Sequence, residues 1–175
     1  PSKGLIEQKK SQRKPVQPTE QVSPLQHVIQ ALISLSGRMT YFKLTKLLYL
    51  IDLFALERLD HMVAGDVYLR QVDGPWLPNL DKTLSAMQGF EVRRSFMRGV
   101  PIVTVGPSPR FEVQLEDNVL EIIAEIFHNY GSLNNSQLKT IIYRTDPMKY
   151  ILQEESKGKD MRNKPVLYRG KVDSK

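Results

Sequence analysis

The chain has 175 residues, 41% of them hydrophobic, no cysteine and a formal charge of +6. That length suits one domain with tails, and that apolar share fills a core, which excludes a chain disordered throughout. The absence of cysteine excludes disulfide scaffolds, cysteine nucleophiles and thiolate zinc sites.

In chain order, residues 1–22 are rich in Lys, Gln, Ser and Pro, with no apolar period; Pro15 and Pro18 oppose a continuous helix. The expectation is a flexible basic arm. "SPLQHVIQALISLSG" then opens the domain. Ser23 suits a helix N-cap, Pro24 the first helical position, and Gly37 the stop. Leu25, Val28, Ile29 and Leu32 recur at helical spacing between them.

"KLTKLLYLIDLFALE" is a second helix, with Thr40 placed to cap it and Lys43 and Lys46 one turn apart. Its apolar residues, including Leu47 and Leu48, spread over most of the circumference, so it belongs at the centre of the domain. Asp52 within it is either at a solvent edge or bonded to something fixed, and Lys46 is expected to snorkel. A strand from Val67 to Val72 leads into an Asp73-Gly74-Pro75 corner and the only tryptophan, Trp76. Only glycine tolerates unusual dihedrals there, and proline fixes the next φ.

Beyond the corner, Asn79 is expected to cap a short helix ending near Gly89, and "FEVRRSFMRGVPIVTVGP" reads as a hairpin turning at Arg98-Gly99. Helices follow at 117–130 and 136–144, then a third with Asp146 as cap and Pro147 in its first turn. The expected fold class is α+β, mainly helical: a single compact domain over 23–155 with a small antiparallel β-sheet, between the arm and a basic C-terminal tail at 156–175.

The charge sits in those tails. Residues 1–22 carry five Lys/Arg against two acids and residues 153–175 seven against four, so the middle is neutral. Tail charge of this kind is solubilising, or a weak nonspecific contact. The three histidines, His27, His61 and His128, are not paired at metal-ligand spacing. There is no nucleophile elbow, phosphate-binding glycine loop or dinucleotide fingerprint. The expectation is therefore a non-enzyme without metal or cofactor. No apolar run is long enough for a membrane span, and no signal peptide is visible, so a cytoplasmic protein is expected.

Two binding readings stand. The helices spanning 117–144, with the hairpin as a wing, have the layout of a DNA-binding helix-turn-helix; the plainer reading is a helical hairpin packed on the core. Alternatively, Trp76, Tyr68 and Arg70 form an interface anchor, since Trp, Tyr and Arg dominate binding hot spots; the plainer reading has Trp76 sealing the core's edge.

Three blocks, "KLTKLLYLIDLFAL", "GDVYLRQVDGPWLPNLDKTL" and "LKTIIYRTDPMKYI", resemble the successive motifs of the Panacea, or SocA-like, antitoxin domain. Lys43, Leu44, Lys46, Leu47, Leu48 and Tyr49 carry the first, Gly74 and Pro75 the second, and Thr145 and Pro147, with Asp146 between them, the third. Asp73 and Trp76 depart from the pattern. The resemblance implies an antitoxin that binds and neutralises a cognate protein toxin by direct contact. It also implies operator DNA as a further partner and, in one branch, delivery of the toxin to a protease. With the closeness of the first two blocks, it suggests that Tyr49, Asp52, Arg70, Asp73 and Trp76 share one toxin-binding surface. The basic arm is a second candidate, folding over an acidic toxin.

Overall fold

A computed structural model of the chain describes residues 21–87, 91–97, 100–106 and 111–169. The arm at 1–20, the Arg98-Gly99 turn and the last six residues lie outside the described residues. Helix α1 (Pro24–Ser36) starts as expected: Ser23 and Gln26 form a reciprocal capping box, with Pro24 in the first turn and Gly37 at the end. Strand β1 (Met39–Thr40) is two residues long, and Thr40 caps α2 (Tyr41–Leu59) through the Lys43 amide. The sequence pattern does not predict β1.

Helix α2 is the centre. Every residue from 44 to 53 is buried, polar ones included. Helices α4 (Asp117–Tyr130) and α5 (Asn135–Tyr143) pack on it, as do strands of both sheets. A full circumference of leucine and isoleucine requires that all-round cover. Between them come β2 (Val67–Gln71), β3 (Gly74–Trp76) and α3 (Leu80–Ala86), where Asn79 is the N-cap by position but makes no side-chain cap bond. Next are β4 (Glu91–Met97) and β5 (Val100–Gly106). The chain closes with α6 (Asp146–Ser156) and β6 (Pro165–Tyr168). Thr145, not Asp146, is the N-cap residue of α6.

The fold is mainly helical α+β, with two three-stranded antiparallel sheets in place of one: β1-β5-β4 and β3-β2-β6. β6 corrects the expected boundary at 155. Val166 and Leu167 are buried, and Tyr68 pairs with Leu167, so the packed unit continues into the stretch read as a tail. Among the described residues no helix is long and apolar enough to cross a membrane.

Candidate functional site

The two lysines of α2 reach in different directions. Lys43 Nζ donates to the Gly131 carbonyl at 2.8 Å, at the C-terminal end of α4, where a helix presents partial negative charge. Lys46 Nζ donates to the Pro75 carbonyl at 2.8 Å, in β3. The helical step of three residues thus gives one lysine to each wall of a groove. Lys46 is not snorkelled but buried, 4% exposed, with Nζ also 5.1 Å from the centre of the Phe42 ring. Burial pushes its ammonium down to about 8; Asp73 pulls it back up, while Lys139 and Arg70 push it further down.

The Gly-Pro corner is the start of a strand. Arg70 pairs with Pro75 and Gln71 with Gly74, which leaves Val72 and Asp73 as a two-residue turn. Gly74 has φ +103°, and a Cβ there would sit 3.1 Å from Tyr143 Cε1 and 3.5 Å from Lys46 Nζ. Both the backbone and the space therefore demand glycine. Trp76 follows, half-buried, opposite Leu69. Its indole and the Asp81 carboxylate lie beside the Tyr41 hydroxyl, which is pushed up to about 12, first by burial and then by Asp81.

Together these elements enclose a groove of about 1430 Å³ between the end of α1, the start of α2, the β2–β3 hairpin and the α4–α5 turn. Leu35 and Val72 lie on it with 49% and 64% of their surface exposed. Four basic side chains line it, Arg38, Lys43, Lys46 and Lys139, against one carboxylate, Asp73. Asp73 bonds Lys139 at 3.1 Å, a solvent-exposed pair of small energetic weight.

The structure separates the five residues expected on one surface. Asp73 and Trp76 line the groove. Arg70 is an internal brace: its side chain is 13% exposed, Nε bonds Glu155 at 2.7 Å, and the guanidinium also reaches the Gln71 carbonyl and the Tyr143 hydroxyl. Tyr49 and Asp52 lie in the core, both 0% exposed. The Tyr49 hydroxyl shares a 2.8 Å bond with Thr145, and its ring meets Tyr68 edge-on at 5.6 Å. Neither residue has surface to offer a partner, and neither has Tyr68, expected in the interface anchor but also 0% exposed.

Asp52 takes the fixed-partner alternative. Oδ1 accepts from the Val63 and Ala64 amides at 2.7 and 2.8 Å. Oδ2 accepts from the Gly65 amide at 2.8 Å and the Tyr68 hydroxyl at 2.6 Å. Burial pushes this carboxyl up and the four bonds pull it back. A set made only of donors fits the ionised form, which accepts and never donates.

Leu35, Tyr41, Phe42, Leu133 and the Asn134–Ser136 stretch were not legible as groove residues. They come from segments far apart in the chain. The helix pair read as a DNA reader is present, but Lys139, the one lysine on α5, is engaged by Asp73. Among the described residues, no cluster of three or more His, Asp or Glu is grouped to hold a metal ion.

The family model of the antitoxin SocA-like, Panacea domain matches residues 44–147. The match covers more than half of the chain, and the chain belongs to that family. It runs from the buried run of α2 to the first turn of α6 and includes Lys46, the β2–β3 hairpin and Lys139; β6 lies beyond it. No curated protein and no solved structure matches the chain.

Proposed function

We propose that, as a member of the SocA-like Panacea family, this chain neutralises a protein toxin by docking it against the groove under the β2–β3 hairpin, with Trp76 as the anchor. The observation that carries this is the joining of Trp76 with the exposed Leu35 and Val72 on one large concavity. Tryptophan is enriched among binding hot spots, and concave sites lined by apolar side chains are the usual place for a ligand. Gly74, Pro75 and the Lys46 bond hold the indole in place before binding, which lowers the ordering cost of association. Neutralisation then follows from occlusion of the toxin by shape and charge complementarity. Delivery of the captured toxin to a protease would use a second face of the complex.

The test is co-expression with the reading frame beside this one. The neighbouring product alone arrests growth, and the wild-type chain relieves the arrest. Trp76→Ala should weaken the purified complex about 30-fold or more at unchanged melting temperature. Tyr150→Ala, exposed on α6 and outside the groove, serves as control. Unchanged affinity of folded Trp76→Ala would reject the anchor. Operator binding through α4 and α5 is the competing function. A promoter-specific mobility shift that survives moderate salt would support it, whereas a steep salt slope with no sequence preference would point to the tails alone.

A further inference from the structure

The floor of the groove holds an ionic imbalance. Lys46 is more than nine-tenths buried, yet among the described residues no carboxylate lies within ion-pair distance of it. One of its three N–H donors goes to the Pro75 carbonyl, and a face rests near Phe42. Gly74 leaves open the space that a side chain would fill beside Nζ. Lys46 is itself part of the groove lining. The charged groups around it are Asp73, which is held by Lys139, and the cations Lys139 and Arg70, which only add to the positive field. A buried cation without a counter-ion is a standing electrostatic penalty, relieved when an anion arrives with good geometry.

We infer that Lys46 is the anchor for a carboxylate of the bound polypeptide: an acidic side chain, borne on an apolar segment, enters the groove and completes the ion pair that the fold leaves open. This rests on the docking function proposed above and names the chemistry of its partner. The apolar part follows from Trp76, Leu35 and Val72, and the acidic part from Lys46, a buried ammonium of the lining that no carboxylate among the described residues meets. Residues 1–22 of this chain are unsuited as the occupant, with five basic residues against two acids. The interaction is a charge-assisted hydrogen bond in a site screened from water, where truncation of one partner is costly.

The experiment uses the full chain and the purified product of the adjacent reading frame as probe. Lys46→Gln keeps a donor for the Pro75 carbonyl and removes the charge; Lys46→Met removes both. Each should lower affinity by about 10- to 100-fold, with loss of part of the salt dependence, whereas Lys139→Gln at the exposed rim should change it by less than about threefold. Zero-length carbodiimide coupling of the wild-type complex should join Lys46 to an Asp or Glu of the partner, a readout that needs no variant to fold. Lys46→Gln binding within twofold of wild type, or coupling confined to other lysines, overturns the anchor and leaves the docking function standing if Trp76→Ala still weakens the complex. No binding by the wild-type chain overturns both. Displacement of the partner by an oligonucleotide whose own binding falls in Lys46→Gln overturns the assignment to a polypeptide.

Discussion

Lys46 and Pro75 are joined by a 2.8 Å bond from a buried ammonium to a strand carbonyl, and that bond ties the central helix to the hairpin bearing Trp76. A leucine-rich helix gives the domain its stiffness; this lysine passes the stiffness to the surface loop.

Burial of that ammonium predicts an unusual pH dependence. The folded Lys46 pKa is lowered from 10.5 to about 8, so between these values the unfolded chain binds more protons than the folded one. Stability from this group therefore rises with pH across that window. Relative to Lys46→Met, the wild type should gain roughly 2 kcal/mol between pH 7 and 10, read from urea denaturation at each pH. A difference that stays flat would show that the ammonium is solvated.

Asp52 and Tyr68 form the second buried constraint. Asp52→Asn brings an amide against four donors and should destabilise the fold by at least about 3 kcal/mol. Tyr68→Phe removes one bond and should lose about 1–2 kcal/mol. The double variant should lose less than the sum, because the two share a bond. Additive losses would place the two groups apart.

Gly74→Ala combines a positive φ with a close contact to Tyr143, and should lose about 1–3 kcal/mol. Gly158 also has a positive φ, +84°, but no atom lies within 4 Å of the place a Cβ would take there. Gly158→Ala should therefore be milder, and the difference in melting temperature isolates the steric part. If the groove docks the neighbouring product as proposed, affinity for it should fall with Gly74→Ala and not with Gly158→Ala.

Arg70→Ala should act on stability before binding, since its guanidinium is committed to Glu155, Gln71 and Tyr143. A loss of about 1–2 kcal/mol is expected near neutral pH. Arg70 holds the Glu155 carboxyl below its ordinary range. The pair's contribution is thus full above the unfolded carboxylate pKa and lost as pH falls through the lower folded value. The gap between wild type and Arg70→Ala should narrow in acid. An affinity loss with no change in melting temperature would return Arg70 to the interface.

The helices were legible because their signals are local. Ser23-Pro24 and Thr40 mark starts, and apolar residues at helical spacing mark the buried faces. β6 was not, because two buried residues, Val166 and Leu167, sit in a basic stretch and their partner strand is remote in sequence. The Gly-Pro segment announced itself as a reversal through its residue types, but as a corner and not as the strand Gly74–Trp76 that it forms. Asp52 could be narrowed only to two alternatives, since three of its four donors are backbone amides, which no side-chain pattern encodes. The groove was invisible for the same reason: its walls come from separate elements that meet only on folding.

Hydrogen exchange of the free chain and of its complex with the neighbouring product tests the central claim most directly. Docking in the groove predicts new protection concentrated at residues 39–46, 71–76 and 131–139, with the face of α6 around Tyr150 unchanged. Protection confined to α6, the tails or the β4–β5 hairpin, with residues 71–76 exchanging as in the free protein, would contradict it.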